Sequence, residues 1–122
     1  MAVGEYTRAI GVNPNYTDSY FKRGYSYEKL DQDQNAISDY NKAIQLDPDY
    51  ALAYNNRGSA YHSQTPHQYQ LAINDYTKAI QLDGNNDAMA YNNRGIAYRN
   101  LGQPTLADAD KTMACSLDSQ YC

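Results

Sequence analysis

Two stretches of the chain, Asn35–Asp47 (NAISDYNKAIQLD) and Leu71–Asp83 (LAINDYTKAIQLD), are nearly identical. A second motif precedes each of them. Tyr54–Tyr61 (YNNRGSAY) is repeated at Tyr91–Tyr98 (YNNRGIAY), and a variant occurs at Tyr20–Tyr27 (YFKRGYSY). The chain is therefore an array of similar units, and such internal repetition indicates a solenoid-type architecture.

The spacing of the repeated glycines gives the length of the unit. Gly24 and Gly58 are 34 residues apart, whereas Gly58 and Gly95 are 37 apart. The second unit therefore carries additional residues. Two of them fall before Ala72, and the other falls near residues 85–87.

This pattern resembles the tetratricopeptide repeat, a 34-residue unit of two antiparallel helices with aromatic residues, Gly and Ala at fixed places. The matching residues of the three full units are Tyr20, Gly24, Tyr27, Ala36, Tyr40, Ala43 and Pro48, then Tyr54, Gly58, Tyr61, Ala72, Tyr76 and Ala79, then Tyr91, Gly95, Tyr98, Ala107 and Ala114. Gly84 replaces the proline of the second unit, and Lys111 replaces an aromatic residue of the third. Residues 2–14 resemble the second helix of an earlier unit.

The resemblance implies an all-α, right-handed solenoid of αα-hairpins that contains half a repeat and three repeats. We expect a single domain over residues 1–122, with units at 1–16, 17–50, 51–86 and 87–122. The predicted helices are 3–12, 18–30, 33–46, 51–64, 66–82, 88–101 and 104–117. Thr65–Gln68 has the features of a helix start, with a capping threonine, proline at the first position and glutamine three residues after the threonine. The two additional residues are thus predicted to lengthen that helix.

Composition excludes several classes of protein. The 122-residue chain has a formal net charge of −4, whereas a nucleic-acid-binding surface needs an excess of basic residues. No apolar run approaches the ~18 residues of a membrane-spanning helix. Residues 1–5 lack the basic start and apolar core of a secretory signal. We therefore expect neither nucleic acid nor membrane as a partner.

Cysteine and histidine positions bear on location and on metal binding. Cys115 and Cys122 would lie about 10 Å apart along one continuous helix, which is too far for a disulfide. Two free thiols fit a reducing compartment, and we expect a cytoplasmic location. His62 and His67 flank the insertion without further ligands close by in sequence, so we predict no metal site and no cofactor.

No constellation typical of an enzyme is present in the sequence. No nucleophile accompanies a recognisable His/Asp arrangement, and the Arg-Gly dipeptides lie inside predicted helices rather than in a phosphate-binding loop. We therefore predict that the chain is not an enzyme. One alternative stays open, in which it is part of a longer protein whose catalytic domain lies elsewhere.

Opposite charges recur once in each full unit. An arginine precedes each mid-helix glycine, and an aspartate precedes the aromatic position of each second helix. The arginines are Arg23, Arg57 and Arg94, and the aspartates are Asp39, Asp75 and Asp110. We predict partly buried ion pairs, because the planar guanidinium can form two bonds with a carboxylate. The alternative is that the arginines bind an acidic ligand.

In the resembling family, the first helices line a concave groove. The residues predicted to line it here are Phe21, Lys22, Tyr25, Asn55, Asn56, Asn92, Asn93 and Arg99. An asparagine amide can both donate to and accept from a peptide backbone. Phe21 and Tyr25 would supply apolar contact, and Lys22 and Arg99 would favour acidic side chains. The alternative is that the asparagines are only a solvated helix surface.

A second binding mode of the family clamps a C-terminal carboxylate with lysine, asparagine and arginine. Asn56 fits that pattern. The other four places are occupied by Phe21, Tyr25, Met89 and Asn93. The pattern is therefore unfavourable for a carboxylate clamp.

The sequence thus predicts a protein–protein interaction module that binds an extended peptide or partner segment, as an adaptor or scaffold. The alternative is self-association, such as a homodimer formed through the N-terminal half-repeat. Its residues Val3, Tyr6, Ile10 and Val12 lack a partner helix in the sequence, which indicates either truncation upstream or a dimer. Asp108 and Lys111 make the last helix polar, so residues 119–122 are expected to lie near a natural C-terminus.

Overall fold

The computed structural model describes residues 2–122, so residue 1 of the predicted first unit lies outside the described part. These residues form seven α-helices followed by one turn of 3₁₀ helix. The helices are α1 (Ala2–Val12), α2 (Thr17–Lys29), α3 (Asp33–Leu46), α4 (Ala51–Ser63), α5 (Tyr69–Leu82), α6 (Ala88–Asn100) and α7 (Pro104–Leu117), and the 3₁₀ helix is Ser119–Tyr121. The helices pack as successive antiparallel hairpins, which confirms the predicted all-α solenoid.

The core is built from alanine packed against tyrosine and isoleucine. In α5, the buried residues Ala72, Ile73, Tyr76 and Ala79 follow the helical period and form one apolar face. The preceding helix α4 contributes mainly small buried residues, such as Ala53, Gly58 and Ala60. The small buried side chains of α4 therefore pack against the bulkier ones of α5. This packing compensates for the scarcity of large aliphatic residues.

Close contact between the helices of a hairpin explains the mid-helix glycines. A Cβ atom on Gly58 would lie 2.8 Å from Cε1 of Tyr76 and 3.1 Å from the carbonyl oxygen of Ala72. A Cβ atom on Gly24 would lie 2.8 Å from Cε1 of Tyr40. Glycine costs a helix about 1 kcal/mol relative to alanine. Glycine is nevertheless required there, because the tyrosine ring occupies the space that a Cβ methyl group would take.

The insertion forms a loop, contrary to the prediction of a longer helix. Helix α5 begins at Tyr69, and residues 64–68 lie outside any helix. The backbone N–H of Gln68 donates to the carbonyl oxygen of Tyr61, as Gln32 does to Tyr27 in the preceding hairpin. Because this bond fixes where the second helix starts, the additional residues bulge between the two helices.

The expectation of two free cysteines is wrong. Helix α7 ends at Leu117, and the 3₁₀ turn carries Cys122 back toward the helix. The Cα atoms of Cys115 and Cys122 lie 4.6 Å apart, and their sulfurs are bonded. The predicted separation failed because it assumed one continuous helix. Free thiols therefore no longer support the expected cytoplasmic location, which stays a prediction.

Across residues 2–122, no helix combines the length and the apolar character that crossing a membrane requires.

Candidate functional site

The first helices of the three hairpins, α2, α4 and α6, line two adjoining cavities of about 290 and about 210 Å³. The larger is lined by Tyr25, Glu28, Lys29, Asn56, Ser59, Met89 and Asn93. The smaller is lined by Ser59, His62, Ser63, Tyr76, Asn93 and Ile96. Ser59 and Asn93 border both cavities, so together they form one surface, which we call the groove.

Three of the predicted site residues lie in the groove, one on each first helix: Tyr25, Asn56 and Asn93. Two groove residues that were not predicted, Glu28 and Ser59, lie one helical turn from predicted ones. Glu28 follows Tyr25 by three residues, and Ser59 follows Asn56 by three. Residues at this spacing share a helix face. Extending each predicted residue by one turn would therefore have found them.

Asn55 is buried and Phe21 is half-buried against the core, which corrects their predicted place in the groove. The Phe21 ring packs against the rings of Tyr40 and Tyr50, at centroid distances of 5.8 and 5.0 Å. Asn55 is only 1% exposed. Its Oδ1 accepts a long hydrogen bond of 3.4 Å from Nδ2 of Asn93. Adjacent helical residues point about 100° apart, so only one asparagine of each pair can face the groove.

The two predicted basic residues of the groove are engaged elsewhere on the surface. Lys22 Nζ lies 3.1 Å from Asp18 of the same helix, and Arg99 Nη2 lies 2.7 Å from Asp108. Asn92 is half-buried and lies outside both cavity linings. The expectation that Lys22 and Arg99 attract acidic side chains into the groove is therefore corrected.

Glu28 is the carboxylate of the groove. Its Oε1 accepts a hydrogen bond of 2.7 Å from the hydroxyl of Tyr40, a fully buried residue that holds the carboxyl in place. Burial raises the pKa of Glu28, and this hydrogen bond partly offsets the shift by favouring the ionised form. Lys29, the lysine of the groove, has its Nζ 5.0 Å from the centre of the Tyr25 ring.

The surroundings of His62 favour its neutral form. Burial lowers its pKa, and the neighbouring His67 lowers it further. The ring also packs edge-on against Tyr69 at 5.1 Å. In residues 2–122, no group of three or more metal-ligating side chains comes together. The groove therefore combines amides, hydroxyls and aromatic surface with one carboxylate and one lysine.

The recurring arginines and aspartates meet outside the groove, between the helices of each hairpin. Arg57 donates from Nε and Nη2 to the two carboxylate oxygens of Asp75, at 2.8 and 2.7 Å. The hydrogen bond to Asp75 raises the pKa of Arg57, so the guanidinium stays charged. The same two-bond geometry joins Arg23 to Asp39 and Arg94 to Asp110.

Each of these arginines also reaches the preceding hairpin. Nη1 of Arg57 donates to Asn41 Oδ1 at 2.8 Å. The rings of Tyr54 and Tyr61 flank the guanidinium, with their centroids 5.6 and 5.9 Å from its Cζ. Arg23 and Arg94 form the equivalent bonds with Thr7 and Thr77, at 3.2 and 3.1 Å. The arginines therefore link three helices, and this arrangement supports packing rather than capture of an acidic ligand.

Three family models match the chain. A TPR repeat model matches residues 30–64, and two tetratricopeptide repeat models match residues 51–86 and 75–109. Among curated proteins, none matches significantly.

Several solved structures have the same fold. The crystal structure of MamA is 26% identical with a TM-score of 0.88, and the match covers 96% of this chain and 67% of that one. The Arabidopsis OM64 TPR domain is 31% identical with a TM-score of 0.80, covering 85% of this chain and 84% of that one. The second TPR of Spaghetti (RPAP3), bound to the HSP90 peptide SRMEEVD, is 32% identical with a TM-score of 0.78, covering 84% and 92%.

Proposed function

Because the chain belongs to the tetratricopeptide repeat family, whose domains are protein–protein interaction modules, we propose that it binds an extended partner segment in the groove. In this role it is a non-catalytic adaptor or scaffold. The observation that carries the proposal is the placement of Asn56 and Asn93. These two amides lie on neighbouring first helices and face the same cavity.

The chemistry of the two amides suits a peptide main chain. Each amide has donors and an acceptor, so it can pair with both the C=O and the N–H of an extended segment. The bond from Asn93 to Asn55 is long, at 3.4 Å, and therefore weak. The second amide hydrogen of Asn93 and its carbonyl oxygen remain available to a peptide main chain while this bond to the buried Asn55 is kept.

The groove differs from one that binds an acidic tail. The Spaghetti domains are bound to the HSP90 peptide SRMEEVD. In the family's carboxylate-clamping mode, basic residues would be required where this chain has Met89 and Asn93, and only Asn56 fits. Glu28 would also repel an acidic peptide. We therefore propose a main-chain-reading mode in place of a carboxylate clamp.

Peptides selected from a random display library provide the test. We expect Asn56→Ala combined with Asn93→Ala to weaken a selected peptide about tenfold or more, since each lost hydrogen bond contributes about 1 kcal/mol. Asn92→Ala is the control, because Asn92 lies next to Asn93 on α6 but outside the groove. It should leave the affinity unchanged. Equal affinity of the double variant and the unmodified protein would overturn the proposal.

Self-association is the second candidate, and a further cavity, which shares Tyr25 and Lys29 with the groove, favours it. This cavity of about 270 Å³ lies between α1 and α2 and is lined by Ala2, Val3, Tyr25, Ser26, Lys29 and Leu30. Leu30 and Tyr25 are each 46% exposed, so the patch offers apolar surface. Light scattering over a concentration series should show a dimer that Leu30→Glu dissociates. A monomer at every concentration would rule this candidate out.

A further inference from the structure

We propose that the groove selects a partner segment with a lysine or arginine side chain, whose cationic group pairs with Glu28. This inference rests on the proposed function and specifies the chemistry of the partner. It reverses the expectation of acidic side chains that the sequence raised.

The first support is the position of Glu28. It is half-buried on α2, lines the larger cavity, and is held by the Tyr40 hydroxyl at 2.7 Å. A carboxylate can accept about four hydrogen bonds, and Tyr40 supplies one of them. Hydrogen bonding by Ser59, which lines the same cavity, also lowers the pKa of this carboxyl, and the remaining lone pairs are available to donors that enter the cavity. The carboxylate is therefore oriented before any ligand arrives.

The second support is the lack of a cation that neutralises Glu28 within the described chain. Among residues 2–122, no Lys, Arg or His nitrogen lies within 4.0 Å of its carboxylate. Lys29 is directed over the Tyr25 ring, and its charge lowers the pKa of Glu28 without forming an ion pair with it. Arg57, on the next first helix, is engaged with Asp75 and Asn41.

A bound segment that covers the groove would remove Glu28 from water. A neutral or acidic segment would leave this carboxylate unpaired, which is costly in a desolvated site. A lysine or arginine would pair with it and remove that cost. Glu28 thus favours one class of ligand and opposes another, which is how an interface becomes selective.

The surrounding residues fit a long basic side chain. Tyr25 and Met89 line the same cavity and are 46% and 39% exposed. They offer apolar surface to the aliphatic stem of a lysine or arginine, whose charged end would reach Glu28.

The carboxylate occurs in one repeat only, which fixes where the basic residue binds. Glu28 follows Tyr27, whereas His62 and Arg99 hold the equivalent places after Tyr61 and Tyr98. The basic side chain should therefore occupy one position of the bound segment, at the end that lies against α2.

The experiment compares random-peptide selections on the unmodified protein and on two variants. Glu28→Gln keeps the shape of the side chain and its acceptor for Tyr40 but removes the charge. Glu5→Gln is the matched control, because Glu5 is the other glutamate of the chain and is exposed on α1. We expect the unmodified protein and Glu5→Gln to select Lys or Arg at one fixed position, and Glu28→Gln to lose that preference.

The affinity of one selected peptide gives the size of the effect. Replacing its basic residue by glutamine should weaken binding to the unmodified protein about tenfold, the worth of a charge-assisted bond, and change binding to Glu28→Gln much less. If circular dichroism shows that Glu28→Gln is unfolded, Glu28→Asp and the unmodified protein still test whether the groove prefers a basic side chain. The basic peptide should outcompete its glutamine analogue on both proteins, by a margin that declines with added salt.

The failures of the two proposals are distinguishable. This inference would be overturned if the selected peptides share no Lys or Arg position, or if Glu28→Gln still selects one. Either result would leave the proposed binding of peptides in the groove unaffected. Selection of acidic C-terminal peptides would overturn it as well. If no peptide is selected at all, both this inference and the proposed function fail.

Discussion

At the scale of single residues, Arg57 shows why arginine rather than lysine recurs before each mid-helix glycine. Its guanidinium forms two parallel bonds with Asp75, a third with Asn41, and lies between two tyrosine rings. A lysine ammonium is a point charge that cannot provide this planar fork or stack between rings. The arginine therefore holds the hairpin and its predecessor together.

Asp75→Ala should destabilise the fold strongly. Asp75 and Arg57 have side-chain exposures of 7% and 20%, so removing the carboxylate leaves a mostly buried, unpaired guanidinium. We expect a loss of about 3 kcal/mol in the free energy of unfolding, measured by urea denaturation. Asp108→Ala is the control. It breaks a pair exposed to 56% and 72%, whose contribution should stay below about 1 kcal/mol. Similar losses in the two variants would contradict a structural role for the buried pair.

The sequence supplied part of this residue-scale picture. The recurrence of Arg23, Arg57 and Arg94 with an aspartate in each unit was enough to predict their partners. The third contact was not predicted, because residues of different type accept it, Thr7 and Thr77 in two units and Asn41 in another. Their common feature is a side-chain oxygen directly after the aromatic residue.

At the scale of elements, the hairpin contact depends on the space at each mid-helix glycine. Gly58→Ala should destabilise the protein by about 1–3 kcal/mol, since the new methyl group would collide with the Tyr76 ring at 2.8 Å. Gly4→Ala is the matched control, because Gly4 also lies in a helix but has nothing within 4 Å of its Cβ position. It should stabilise the protein by about 0.5–1 kcal/mol through helix propensity. Thermal and urea unfolding of both variants would measure this difference. A neutral or stabilising Gly58→Ala would show that the Tyr76 ring yields easily.

Element positions were more predictable than the connections between them. The resemblance to the repeat family gave helices α3 and α7 with their observed bounds, because their apolar positions match those of the repeat. Residues 66–68 were predicted to begin the second helix from a local capping pattern, yet they lie in a loop. The hydrogen bond from Gln68 to Tyr61 spans the insertion, and no local sequence signal reveals it. The reversal that joins Cys115 to Cys122 escaped prediction for the same reason.

At the scale of the whole molecule, stability is distributed along a chain of neighbouring interfaces. Each core cluster joins consecutive hairpins. Tyr40 and Ile37 of one hairpin pack with Ala60 of the next, and Tyr76 and Ile73 pack with Ala97. No single central core exists among residues 2–122, so a local change should affect adjoining helices first. The groove also depends on the whole array, because its lining comes from three successive hairpins.

The disulfide should stabilise one end of the molecule without affecting the other. Tyr121, in the 3₁₀ turn, packs on the cluster formed by Ala79, Ile80, Ala90, Tyr91 and Ala114, and the Cys115–Cys122 bond ties that turn to α7. Reduction should release the turn and cost roughly 2 kcal/mol or less, since the closed loop is short. Hydrogen exchange should then accelerate in α7 and the 3₁₀ turn, whereas amides of α2 and α3 keep their protection. Tyr121→Ala in the oxidised protein separates the packing of the ring from the crosslink, and it should accelerate exchange in the same helices. Loss of protection spread evenly over the chain after reduction would contradict the nearest-neighbour picture, because it would mean that all the hairpins unfold as one unit.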